Sequence, residues 1–523
     1  MAANCYDASS MIRTKSEFAS LASHFQTLSD SDPRRAIDEA RAMKGSGEYK
    51  TAIGDLRAGI LIDAGQTVRD EAAVREGVSV FRQLASTHPR VPGFRYNLAN
   101  GLSGLSRLRL PPKPPAHPDW YAATQADRRE ARCIYKEVAK NTEEAKLAAQ
   151  ALTNLGNELD QGFRWVEAYD SWVEALNADP ANQVAALSTA RMLLRRIKQF
   201  PSHPPSLHRV AGYYCRLATR GAGSIEQIAG AGAARMARSL PTFRSRWRPR
   251  KLFEIKDPFG KFVARQRLAL VGTIEGLDLR KARWDDVYIG GVSEKFDSGP
   301  GVPPVFAMIN QLKADYCAAR WALYTAESGS LKETSVYGDT LDYAVYGLKP
   351  SLLILAQRSS LDVLDRVAVC ANEYFRIGDN TQQIWFRGFW RQNKGTGPWR
   401  SVWKEELDAW NPGLIALGDL ASDLAEGGLL WDKQVLRNAG THRFSVLHNL
   451  GKTPSRISPA VDHHGRREFL LETVLSLRIA RSAILYLIDA IAWRERRIAL
   501  ADSRLALKIY PHHYIRGHGD PRW

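Results

Sequence analysis

"ALTNLGNELDQGFRWVEAYDSWVEALNADP", residues Ala151 to Pro180, decides the architecture of the first half of this chain. Leu155, Gly156 and Leu159, then Ala168, Trp172 and Ala175, recur every three or four positions in two runs, the spacing of a helix face. Gly156, Ala168 and Ala175 lack bulk, so two antiparallel helices can approach closely, and Pro180 closes the second. The same offsets return upstream at Ala64, Gly65, Val68, Gly77, Phe81, Leu84 and Pro89. A third unit starts with Leu98, Ala99 and Leu102 and resumes at Ala131, Tyr135 and Val138. Between its halves lies "LPPKPPAHPDW", a loop because proline cannot hold a helix ladder.

The offsets in these segments resemble the tetratricopeptide (TPR) unit of about 34 residues. After an N-terminal segment (1–34), residues 35–238 therefore read as a TPR-like helical solenoid, with a plain helical bundle as the alternative. The resemblance implies a protein or peptide partner on this region.

The chain has 523 residues, too many for one core, so more than one domain is expected. Its 44% hydrophobic and 25% charged residues are ordinary for a globular protein. Five scattered cysteines, Cys5, Cys133, Cys215, Cys317 and Cys370, form no CxxC pair, which argues against a disulfide framework and fits a reducing compartment. The N-terminus has no apolar segment of signal-peptide type. The apolar run Ile479–Trp493 is short and contains Arg481 and Asp489, so it reads as a buried helix and not as a membrane span. A soluble, cytoplasmic protein with no membrane partner is expected. A net charge of +17 favours polyanions such as nucleic acid as partners, or reflects a basic proteome.

Residues 239–300 change character. Arg244, Arg246, Arg248, Arg250 and Lys251 cluster around Trp247 between prolines, which marks a basic connecting segment. Arginines with an interleaved tryptophan could grip phosphates and stack on a base; a solvated linker is the equal alternative. Helical periodicity then resumes. "FAMINQLKADYCAARWALY" predicts a helix over Val305–Tyr324, and "GLKPSLLILAQRSSLDVLDRVAVCANEYF" carries an apolar stripe through Leu352, Leu355, Leu364, Val367, Ala368, Ala371 and Phe375. "NPGLIALGDLASDLAEGG" is a helix started by Asn411 and Pro412 and stopped by Gly427 and Gly428. The next helix is expected in "LRNAGTHRFSVLH", Leu436–His448, followed by a polar loop and the long "RREFLLETVLSLRIARSAILYLIDAIAWRERRIAL". Residues 301–510 thus form a bundle of four to five antiparallel helices, leaving a tail at 511–523. The whole chain is expected to be all-α.

Within Leu436–His448, Arg437 and His442 lie five positions apart, and Arg443 and His448 repeat the interval. Arg437-Asn438-x3-His442, with a polar residue directly after the arginine, resembles the Arg-x4-to-6-His signature of HEPN domains. "YCAARWALY", "GLKPSLLILAQ", "LDVLDRVAVCANEYF" and "LRNAGTHRF" together resemble a bacterial HEPN family with an N-terminal TPR array. The second pair fits less well, because Phe444 follows Arg443 where the family prefers Asn, Asp or His. Phe444 also stands where nucleotidyltransferase-partnered HEPN toxins place a modifiable tyrosine, which puts control by that route in doubt.

The resemblance implies an endoribonuclease and a homodimer formed through the C-terminal bundle. The chemistry follows from the residue types. RNA cleavage by the 2′-hydroxyl, with neither metal nor cofactor, needs proton transfer, which His442 can supply with an ordinary pKa near 6.5. It also needs charge stabilisation, which the planar fork of Arg437 provides. Asn438 could hold a hydroxyl or fix the imidazole tautomer. Asp365, Asn372 and Glu373 are candidates for a supporting residue from an earlier helix; the weaker pair Arg443 and His448 is a further one. The alternatives are a helix-end pair bonding to backbone, and a non-catalytic scaffold or RNA-binding dimerisation module. Asp462, His463 and His464 are read as lying in a loop without the spacing of a ligand set, and His512 and His513 likewise, so no metal is expected.

Overall fold

The computed structural model describes all residues except 1–10, 13, 46, 111–122, 201–205, 245, 246, 250, 273–284, 296–300, 329, 433–442, 451–457, 502–505 and 510–523. At 11–12, 294–295, 499–501 and 506–509 it describes the backbone alone. The described residues are predominantly helical and divide into two compact units. The first comprises 1–190, 214–241 and 427–429, the second 191–213, 242–426 and 430–523.

In the first unit the helices α1 (Lys15–Ser31), α2 (Pro33–Ala42), α3 (Tyr49–Val68), α4 (Glu71–Thr87), α5 (Pro92–Leu108), α6 (Gln125–Asn141), α7 (Ala145–Gln161) and α8 (Trp165–Ala178) follow one another. From α3 onward each packs against the next, the arrangement of stacked helical hairpins. Small residues at the crossings explain the tightness. A Cβ on Gly77 would stand 2.8 Å from the Ala58 carbonyl, and one on Gly156 would collide with the Trp172 ring. The Trp172 indole N–H donates to the Thr153 carbonyl at 3.2 Å, so this packing leaves no orphaned donor. Helix α9 (Gln183–Gln199) and helix α10 (Ser206–Arg220) each contain a boundary between the units. In helix α11 (Ala222–Arg238) the run is broken at Gly230, whose φ of 80° suits only glycine.

The second unit is built on α13 (Pro304–Ser328), α14 (Leu348–Tyr374), α15 (Pro412–Asp423) and α16 (Arg466–Ala501); a short α12 (Pro258–Gln266) precedes them. Helix α16 packs against each of the other three long helices and carries buried Leu477, Ala483, Ile484 and Leu487. Helix α15 is buried along its whole length. The Asn411 side chain caps it by accepting from the Leu414 N–H at 3.1 Å, and its Nδ2 donates to the Ala490 carbonyl at 3.0 Å. Gly413 lies so close to α16 that a Cβ there would meet the Tyr486 and Ala490 backbone.

The segment after α12 joins this core. Tyr316 OH and Arg320 Nη1 donate to the Leu268 carbonyl at 2.8 and 2.9 Å, and Arg320 pairs with Asp285 at 2.7 Å. No described helix is long and apolar enough to cross a membrane.

Short strands decorate the helices: β1 (Met11–Ile12) with β2 (Lys44–Gly45), and β3 (Val292–Lys295) with β7 (Ala506–Ile509). A third sheet has the order β4 (Ala344–Val345), β5 (Phe444–His448), β6 (Val461–Gly465), with β4–β5 antiparallel and β5–β6 parallel. This corrects two expectations. Phe444–His448 is a strand and not helix, and Val461–Gly465 is a strand and not loop. For "FSVLH" the physical reason is that Phe444 and Val446 suit a pleated surface and the strand gains a ladder on both sides.

Candidate functional site

Arg437, Asn438 and His442 lie outside the described residues, as do Arg246 and Arg250. The site is therefore built from what surrounds this segment in sequence. Helix α15 ends at Asp423 upstream, and strand β5 begins at Phe444, two residues past His442.

Alternation along β5 and β6 sorts their side chains onto two faces. The register pairs Val446 with His463 and His448 with Gly465, so His448 and His463 share one face on a diagonal. His448 is 1% exposed. Its Nδ1 lies 3.0 Å from the Asp342 carbonyl and its Nε2 lies 2.8 Å from His463 Nδ1. A carbonyl only accepts, so Nδ1 of His448 carries the proton and Nε2 presents its lone pair to His463. The Asp342 carboxylate stands at the same place. It accepts from Thr340 Oγ1 at 2.6 Å and from the Ala344 N–H at 3.2 Å. The Thr340 hydroxyl holds this carboxyl below its ordinary range, helped by the Ala344 N–H. One ligand-type atom from each of Asp342, His448 and His463 lies within 4.8 Å of the others.

The opposite face carries Asp462 and His464. Arg443 Nη1 pairs with Asp462 Oδ1 at 3.0 Å, with the arginine half exposed. Burial pushes the His464 pKa below its ordinary value, with His463 and His448 adding to the shift and Asp462 opposing it. The weaker Arg/His pair is thus divided, because a strand sends Arg443 to an exposed ion pair and His448 into a buried cluster.

Asp365 on α14 accepts from the Phe386 N–H at 2.8 Å. Asn372 clamps the backbone of Asp379, donating at 3.1 Å and accepting at 3.0 Å. Glu373 is exposed at the end of α14. In the basic segment, Trp247 packs edge-on against Tyr213 at 5.8 Å between ring centres, Arg248 pairs with Glu254 at 2.6 Å, and Arg244 is exposed. Burial raises the thiols of Cys215 to about 11 and of Cys317 and Cys370 to about 12, so none of these is a thiolate nucleophile near neutral pH.

Sequence reasoning missed the meeting of Asp342, His448 and His463. The two strands are too short to show a period in the sequence, and the link to Asp342 has no local signature at all.

Residues 296–494 match the family described as LA2681-like HEPN, which spans α13 to most of α16. This part of the chain is an HEPN domain. Comparison of the chain with curated proteins finds no match.

Proposed function

We propose that this chain is an HEPN endoribonuclease that cleaves RNA by attack of the 2′-hydroxyl, with Arg437, Asn438 and His442 as its reacting groups. The observation that carries this reading is that Arg437-Asn438-x3-His442 falls inside the HEPN match. His442 takes the proton from the 2′-hydroxyl or returns one to the leaving 5′-oxygen, and Arg437 stabilises the charge that develops on the phosphate between them. Asn438 orients a hydroxyl or the imidazole. The bond formed joins the 2′-oxygen to phosphorus and the bond broken is from phosphorus to the 5′-oxygen. The products are a 2′,3′-cyclic phosphate and a 5′-hydroxyl, and no metal takes part in the step.

One arginine and one histidine make a sparse site, which a two-fold dimer through the C-terminal bundle completes by bringing two motifs together. The first unit is read as a TPR-like platform that receives a protein or peptide partner and so controls a defence or toxin-type effector in the cytoplasm. A cavity of about 530 Å3 supports this, since Tyr96, Asn100, Asn154, Asn157 and Asn182 are among the residues that line it. Such groups suit the backbone of an extended peptide.

The test is incubation of the purified protein with total cellular RNA without added divalent cation, followed by end-group analysis. Fragments ending in 2′,3′-cyclic phosphate, absent with His442→Ala, are expected. Intact RNA would favour the second reading, a scaffold that binds RNA through its basic surface, and new 3′-hydroxyl ends would overturn attack by the 2′-hydroxyl.

A further inference from the structure

We propose that Asp342, His448 and His463 form a binding site for a divalent transition metal, with Zn2+ the best match, and that this ion staples the three-stranded sheet directly downstream of Arg437-Asn438-x3-His442. The inference is independent of the RNase reading, because it rests on the sheet alone.

The donor set comes first. Two imidazoles and a carboxylate select Zn2+ and similar ions over Mg2+ or Ca2+, which prefer all-oxygen shells. Three protein donors leave a fourth position for water or another group. The surroundings are those of a ligand set. A metal-bound histidine usually donates its second ring N–H to a carbonyl or carboxylate, which fixes tautomer and direction. His448 does this with the Asp342 carbonyl, so its Nε2 lone pair is aimed at the cluster before any ion arrives. Thr340 and Ala344 hold the Asp342 carboxylate in the same way.

The distances allow it. With bonds of about 2.0–2.1 Å, donor atoms around a tetrahedral zinc stand about 3.3 Å apart. One donor atom from each residue lies within 4.8 Å of the others, and His448 Nε2 and His463 Nδ1, 2.8 Å apart, must part by about half an ångström, with His463 moving its ring proton from Nδ1 to Nε2 so that Nδ1 can ligate. His448 is fixed by burial and by its carbonyl bond, so the half-buried His463 makes this adjustment. The gain is topological. The ion would join segments 106 and 15 residues apart in sequence, in a sheet whose β4 has only two residues and so provides few ladder bonds of its own.

The experiment is a titration of metal-stripped full-length protein with ZnCl2 at pH 7 in competition with a chromophoric zinc indicator. Wild type is expected to withdraw one equivalent of Zn2+ per chain. His463→Ala and Asp342→Asn are expected to weaken that equivalent at least tenfold, while His464→Ala, on the other face of β6, leaves it intact. Circular dichroism of each variant checks that helix content is unchanged. Both substitutions replace partly exposed residues, so retention of the fold is expected; His448→Ala, which opens the interior, serves only as a further binding-defective variant. Should wild type withdraw no zinc, or should His463→Ala and Asp342→Asn withdraw it as tightly as wild type, the site does not exist.

Discussion

The two units pack their helices by opposite routes. In the first, α3 to α8 each lean on the next helix in the chain, so contacts are local and the stack can be read off spacing. In the second, α16 touches α13, α14 and α15, and its partners lie as far as about 170 residues upstream, so its packing is a property of the whole unit. The lesson is that a disturbance in the first unit has somewhere to stop. In the second it has not.

The largest expected effect concerns chemistry and leaves the architecture alone. His442→Ala is expected to lower RNA cleavage about 100- to 10,000-fold with helix content unchanged. Arg437→Ala is expected to lower it as well and to weaken RNA binding modestly, as measured by filter binding under fixed salt. Arg443→Ala is the proper control, because it breaks only an exposed pair with Asp462. Equal loss of cleavage in Arg443→Ala would move the reacting face onto the sheet. His448→Ala is unsuited as a control, since it removes a buried ring.

Next comes packing. Gly413→Ala sets a methyl group against the Tyr486 and Ala490 backbone, which cannot yield, and is expected to cost about 1–3 kcal/mol in urea unfolding. Because α16 links the unit, hydrogen exchange is expected to quicken throughout α13 to α16. Gly156→Ala meets the Trp172 ring, which can tilt, so a smaller loss confined to α7, α8 and their neighbours is expected. Exchange that quickens in α13 to α16 with Gly156→Ala would erase the distinction between the units.

How much of this was legible follows from the same contrast. The hairpins show in the sequence because Gly156, Ala168 and Trp172 act within one repeat, and α15 shows because Asn411 and Pro412 announce their own cap. The sheet did not show. Its three strands have two to five residues each and lie up to 121 positions apart, too short and too distant for periodicity to register. Reading a helix through Leu436–His448 followed from that blindness. It also put Arg443 and His448 on one face, where the strand separates them. In the connecting segment, Asp285 could not be assigned to Arg320 because nothing near either residue points to the other.

The smallest expected effect probes electrostatics in the first unit. Burial raises the Asp55 carboxyl above its ordinary value of 3.8, with a bond to Asn97 opposing the shift. A raised folded value means the ionised form is disfavoured in the fold, so wild type loses stability as pH rises through that value. Asp55→Asn is expected to raise the melting temperature slightly at pH 7, by well under about 1 kcal/mol given the residue's partial exposure, and to bring no gain at pH 3. A gain that persists at pH 3 would assign the effect to something other than charge.

Helix α16 runs without interruption from the last residue of β6 to Ala501, 36 residues or about 54 Å. It is an axle as well as a wall. Substitutions along it alter one contact at a time, but inserting a single residue near Arg466 turns everything beyond it by about 100° relative to the sheet and would present α13, α14 and α15 with the wrong stripe. Sequence drift in this domain is therefore expected to spare the length of α16 long after it has changed the residues, and a tolerated insertion would come in steps of about seven, two full turns, which restore the phase.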